Sequence, residues 1–234
     1  MTAGESPESE VLLPHPRPLT GQGIEDVMLR RRSVREYLMK PLSLEEAALL
    51  CWSAQGISEV GEGLRTSPSA GARYPITLYL VVGEGGVEGL REGIYRYIVE
   101  RHSLYLHKEG DFRKELSDAA LDQEHVARAP LTLTFAVDFR KTTSRYGDRG
   151  YRYIWIDVGH AAQNVYLAAT ALGLGTVGVG AFKDEKVTEI LSLNRGVHPA
   201  YLMPVGHPST LAPRSSKWED IREYIERQRG VSIS

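Results

Sequence analysis

The stretch YRYIWIDVGHAAQNVYLAATALGL, Tyr151 to Leu174, decides the fold. Ile154, Val158, Ala161, Val165, Ala168 and Leu172 recur at the 3.6-residue period of a helix, and Trp155, Ala162, Tyr166 and Ala169 widen its apolar surface. The pattern predicts a helix over 151–173 that is apolar nearly all round. Such a helix has to be enclosed, either by its own domain or by a second copy of the chain. Arg152, Asp157, His160, Gln163 and Asn164 interrupt the run and would be costly in lipid, so it reads as a buried helix and not as a membrane span.

The segment that follows, GLGTVGVGAF, places Gly173, Gly175 and Gly178 in the spacing of a dinucleotide-binding fingerprint. That fingerprint needs a strand before it and a helix after it. Here a helix precedes, so the glycines read as a helix C-cap leading into a strand, 175–180, that something approaches closely. A short helix at 184–192, a strand at 200–205 and a polar helix at 217–229 complete the C-terminal part.

Upstream, LTLTFAV (131–137) and ITLYLVV (76–82) read as sheet strands, with shorter ones at 93–99 and 103–107 and a helix opening at Asp111. Ser43 and Glu46 have the spacing of a capping box, which starts a helix over 44–55 that stops at Gly56. Residues 57–75, rich in Gly, Ser and Pro, form a connection long enough to suggest a functional loop. Residues 1–22 carry four prolines and no apolar period, and are expected as a flexible or partner-draped arm before a single α+β domain over 23–234.

Composition narrows the function classes. A formal net charge of −2 gives no global field toward nucleic acid or an anionic membrane, so any anion site must be local. The single Cys51 excludes an internal disulfide framework and multi-cysteine metal sites, and it fits a cytoplasmic setting. No HExxH or carboxylate cluster points to a metal. The acidic start MTAGESPESE lacks the form of a secretory signal.

Three stretches could carry chemistry. Arg30, Arg31, Arg32, Ser33 and Arg35 suit a phosphate, through paired guanidinium donors and a hydroxyl; a solvated basic face is the competing reading. RTSPSAGARYP (65–75) offers small residues that let backbone approach a flat ligand, or is an ordinary surface loop. Arg145 and Tyr146 sit in a polar loop before the long helix, where they could reach a ligand. His160 reads as a hydrogen-bonded core residue and His207 as part of a turn.

Taken in order, RRSVREY (31–37), RTSPSAGARYPITLYLVV (65–82), RYGDRGYRYIWIDVGHAAQNVYLAATALGLGTVGVGAF (145–182) and YLMPVGHP (201–208) resemble the nitroreductase superfamily. More narrowly the chain is similar to its SagB-like azoline dehydrogenases, with the match running from about Arg30 to Pro208. The resemblance implies an antiparallel-rich mixed sheet flanked by helices, in an intimate homodimer that shares two FMN sites. It implies Arg31, Arg32, Ser33 and Arg35 at the FMN phosphate and ribityl chain, with Arg214 reaching the phosphate from beyond the last strand. It implies Pro68, Ser69 and Ala70 of the partner chain along the isoalloxazine, and Gly180 and Ala181 near its N5. The expected activity is hydride transfer between NAD(P)H or an organic donor and a small-molecule acceptor. Azoline oxidation in peptide modification, and a flavin-binding subunit without turnover, are the alternatives. Azoline dehydrogenases typically carry a Lys-Tyr pair where this chain has Arg145 and Tyr146; the arginine stays protonated and is a poor general base, while the tyrosine is retained.

Overall fold

The computed structural model describes residues 9–209 and 216–229. Its centre is a seven-stranded sheet in the order β1 (Glu10–Leu12), β6 (Ser103–Glu109), β5 (Gly93–Ile98), β4 (Ile76–Val82), β7 (Leu131–Asp138), β9 (Val197–Gly206) and β8 (Gly175–Thr176). A two-stranded hairpin, β2 (Ile57–Glu59) and β3 (Leu64–Arg65), stands apart within the long connection. The helices are α1 (Ile24–Arg30), α2 (Leu44–Gln55), α3 (Arg113–Ala119), α4 (Glu124–Arg128), α5 (Phe139–Tyr146), α6 (Arg149–Ala171), α7 (Asp184–Ile190) and α8 (Trp218–Gln228).

The period-two alternation of the central strands assigns side chains to the two faces. Leu131, Leu133, Phe135 and Val137 of β7 join Leu78, Leu80 and Val82 of β4 against α2 and α6. Tyr79, Val81 and Ala136 point the other way, into a second core with Leu116 of α3, Val126 of α4 and Val187 of α7. Helices therefore cover both faces, which is why ITLYLVV is apolar almost throughout.

Helix ends follow from local chemistry. Ser43 Oγ accepts from Glu46 N at 3.2 Å while Glu46 Oε2 accepts from Ser43 N at 2.7 Å, closing the capping box of α2. At the other end of the core, α6 stops in a Schellman turn: Gly173, at φ 75°, donates to Thr170 O, and Leu174 N donates to Ala169 O at 2.8 Å. The two later glycines of that segment are approached by side chains. A Cβ on Gly175 would lie 2.6 Å from Val34, and one on Gly178 would lie 1.8 Å from the Tyr201 hydroxyl.

The structure corrects several expectations. Every ladder of the large sheet is antiparallel, and parallel pairing is confined to isolated bridges such as Ser33 with Thr176; short returns between successive strands favour that arrangement. The strand expected over 175–180 regularises only at Gly175–Thr176, with Val179 bridging to Leu202 beyond it. Part of the expected arm is sheet: Glu10–Leu12 pairs with β6, and Leu13 behind it is buried. Helix α6 is not enclosed by its own chain either. Tyr151, Trp155 and Ile156 are 49%, 50% and 47% exposed, and Arg152, Gly159, His160 and Gln163 extend the same open stripe, so His160 is not a core residue.

Phe135 is fully buried between β4, β9 and α6. Phe135→Ala is expected to lower unfolding free energy by about 3–5 kcal/mol, from lost burial plus the cavity left behind, as read from chemical denaturation.

Candidate functional site

Two groups of expected site residues hang on α6, one at each end. At the C-terminal end, Arg31 caps α1 and holds its guanidinium over the Tyr166 ring at 5.4 Å. The Tyr166 hydroxyl accepts from Gly178 N at 2.6 Å, so one side chain ties α6 to the segment leading to Gly180 and Ala181. Ser33 bridges to Thr176, and Val34 N donates to Thr176 O at 2.9 Å, which lays the arginine segment along β8. Arg32 turns back onto the carbonyls of Leu29 and Arg31, and Arg35 is exposed. Among the described residues, no carboxylate lies in ion-pair range of Arg31, Arg32 or Arg35.

At the other end, the buried Asp157 organises the 65–75 loop. Its carboxylate accepts from Ser69 Oγ at 2.7 Å and from Ala70 N at 3.3 Å, and Ser69 Oγ in turn accepts from Tyr74 N at 2.9 Å. Burial pushes the Asp157 carboxyl above the usual range, and the Ser69 and Ala70 bonds oppose that shift by favouring the charged form. Two helical turns on, Asn164 Nδ2 donates to Ser53 O, Thr66 O and Ser67 Oγ at 3.0–3.2 Å, and so fixes the start of the same loop. Pro68 is exposed at its tip.

Arg145 and Tyr146 form the last turn of α5, a helix where the sequence suggested a loop. Asp138 starts it by accepting from Arg140 N at 3.0 Å, a cap the sequence reading did not identify. Gly150 lets α5 lie against α6, since a Cβ there would stand 2.8 Å from Thr143 Cα. Tyr146 meets Tyr153 edge-on at 5.2 Å, Arg145 lies 5.4 Å over the Tyr146 ring, and the Tyr146 hydroxyl stands beside Gly71. Gly71, at φ 59°, accepts this approach because it has no Cβ, which would fall 2.4 Å from that oxygen.

The structure thus brings Arg31 and Ser33 together with the 175–181 segment, and Ser69 and Ala70 together with Arg145 and Tyr146. Tyr166 and Asp157 are nine positions apart on α6, a separation of about 13.5 Å along the axis. Arg214 lies outside the described residues. Asp157, Asn164 and Tyr166 anchor the candidate-site segments, and the sequence reading gave them no such part. Their signal was polar atoms recurring seven and nine positions apart in an otherwise apolar helix. Cys51 is fully buried and its thiol is pushed well up by that burial, which leaves it inert. Among the described residues no cluster of His, Cys, Asp and Glu could hold a metal, and no helix is long and apolar enough to cross a membrane.

With the geometry in view, comparison with known proteins is informative. Residues 28–207 match the nitroreductase family model. A nitroreductase-family protein of Methanocaldococcus jannaschii is 49% identical over 183 residues, covering 78% of this chain and 90% of that one. An FMN reductase (NADPH) of Bacillus subtilis is 26% identical over 88% of this chain and 74% of its own length. The trifolitoxin-processing protein TfxB of Rhizobium leguminosarum is 32% identical over 63% of this chain, a match that spans only 40% of TfxB. A solved nitroreductase-family structure from Ralstonia eutropha superposes with a TM-score of 0.75 at 26% identity, covering 86% and 90% of the two chains.

Asp157→Ala removes the acceptor of both Ser69 and Ala70. The expected result is faster amide exchange at Ala70 and Tyr74 with α6 itself still protected, and a stability loss of about 1–3 kcal/mol. Unchanged exchange at Ala70 would show that the loop is held by something else.

Proposed function

The chain belongs to the nitroreductase family, and from that premise we propose that it is an FMN-dependent oxidoreductase acting on a small molecule with NAD(P)H or an organic donor. The observation that carries this reading is the arginine segment 31–35, bridged through Ser33 to Thr176 of β8, with no ion pair to Arg31, Arg32 or Arg35 among the described residues. Its donor set fits a phosphate monoester dianion: planar guanidinium groups for bidentate bonds, a hydroxyl, and backbone nearby. FMN, when bound, supplies hydride transfer at N5, so the chain needs no side-chain nucleophile.

The residue roles in this reading are those the family resemblance implies. Arg31, Arg32, Ser33 and Arg35 hold the phosphate and ribityl chain, and Arg214 adds to them. Gly180 and Ala181 leave room at the flavin edge, where the Cβ position on Gly180 meets nothing closer than 3.8 Å. Pro68, Ser69 and Ala70 lie along the isoalloxazine and come from a second copy of the chain, as the family resemblance implies. The exposed stripe of Tyr151, Trp155 and Ile156 is the face on which that copy packs, a large apolar patch of the kind that marks an interface. Tyr146, beside Gly71 of that loop, orients substrate and holds or releases a proton at its hydroxyl.

Azoline oxidation is the second reading, favoured by the retained Tyr146 and by the likeness to TfxB. Arg145 weighs against it, because a permanently charged guanidinium accepts no proton.

The decisive experiment is reconstitution with FMN followed by anaerobic reduction with NADH and NADPH. Flavin absorption bands that bleach on reduction and return with an acceptor are expected. Absence of bound flavin refutes the proposal, and bound flavin that no donor reduces reassigns the protein as a binding subunit. Ser33→Ala combined with Arg35→Ala is expected to lower FMN retention about tenfold or more while the dimer stays folded, by size-exclusion chromatography. Tyr146→Phe is expected to reduce turnover with FMN content unchanged; an equal rate would remove Tyr146 from proton handling.

A further inference from the structure

Several arginines on this protein are neutralised locally. Arg17 pairs with Glu45, Arg91 with Glu109, Arg101 with Glu10, Arg113 with Asp111, Arg128 with Glu124 and Arg140 with Asp138. A set around the α5–α6 corner is not. Arg73, Arg145 and Arg149 are all exposed, and among the described residues none has a carboxylate within ion-pair range. Asp138 is taken by Arg140, Asp157 is taken by Ser69 and Ala70, and the remaining neighbour, Asp148, forms no ion pair.

These cations border flat aromatic surface. Arg145 lies over Tyr146, and Tyr146 meets Tyr153 edge-on. Arg149 precedes Tyr153 by one helical turn on α6, which places it on the same side as Tyr153 and Asp157. Arg73, in the loop that Asp157 organises, donates its Nε to Lys141 O of α5 at 2.7 Å and keeps its other guanidinium donors free of ion pairs. Like charges gathered on a protein of net charge −2 repel one another, and an anion relieves that repulsion.

We propose that Arg145 and Arg149, with Arg73 at the rim, select a substrate that carries an anionic group, a carboxylate, on a planar ring seated against Tyr146 and Tyr153. The inference rests on the oxidoreductase reading for the identity of the site and adds the substrate class to it. It also gives Arg145 a role: the lysine of azoline dehydrogenases is a proton acceptor by resemblance, whereas a guanidinium offers a fixed fork that fits a carboxylate with two parallel hydrogen bonds.

The test compares 4-nitrobenzoate with 4-nitrobenzamide, equal in shape and differing in charge, by calorimetric titration of the FMN-reconstituted protein and by steady-state reduction. The benzoate is expected to bind about tenfold or more tighter at low salt, with the advantage shrinking as ionic strength rises. Arg145→Gln with Arg149→Gln is expected to bring the benzoate-to-benzamide affinity ratio to about one and to remove its salt dependence, with circular dichroism unchanged. Equal affinity for the two probes, or an advantage that survives in the double variant, overturns the inference. If the double variant instead raises KM for NADPH but not NADH and keeps the benzoate preference, the anion is the phosphate of the nicotinamide donor and the inference is likewise overturned. Flavin content is read separately. A protein that discriminates the probes without binding FMN refutes the oxidoreductase reading alone, and one that turns over FMN without discriminating refutes the substrate class alone.

Discussion

The rest of the structure depends on a helix that must bury one side against a sheet and still carry polar atoms. Ile154, Val158, Ala161, Val165 and Ala169 of α6 press on β4, β7 and β9, while Asp157, Asn164 and Tyr166 leave the same helix to hold neighbouring segments. A buried carboxylate or amide is tolerated only with its hydrogen bonds made. Each of these side chains therefore obliges a loop to come to it: Ser69 and Ala70 to Asp157, Thr66 and Ser67 to Asn164, Gly178 to Tyr166. The loops that carry the candidate site are shaped by this satisfaction requirement more than by their own propensities.

Because the organising residues are spaced along one rod, the chemistry is divided between its ends. The arginine segment and the 175–181 segment gather at the C-terminal end of α6, and the 65–75 loop, Arg145 and Tyr146 gather toward the N-terminal end. Tyr151, Trp155 and Ile156 leave an exposed apolar stripe on the N-terminal part of the same helix. Arg17, Arg91 and Arg113 are paired, whereas Arg31, Arg32 and Arg35 at one end and Arg145 and Arg149 at the other form no ion pair among the described residues.

Sequence reading recovered much of this, and its misses have physical causes. The capping box at Ser43, the helix over 44–55, the threonine alternation of 131–137 and the glycine C-cap after 172 were legible because each depends on neighbours within a few positions. The polar α5 was not, since its few apolar residues give no period that marks a core-facing helix, and it is stabilised by an Asp138 cap and by packing at Gly150. The edge strand at Glu10–Leu12 was missed because pairing with β6 is a contact across some ninety positions that composition cannot reveal.

What the amino-acid sequence by itself determined is most of the elements, the family, and the residue types offered to a ligand. These rest on periodicity, capping and ordered motifs, which are properties of short stretches of chain. Only the tertiary structure decided that Asp157 and Asn164 organise the site loop, that Tyr146 faces Gly71, that one side of α6 lies open, and which arginines lack a partner. Those are questions of distance between remote residues, where the desolvation cost of a buried polar group and the reach of a side chain are settled by the fold alone.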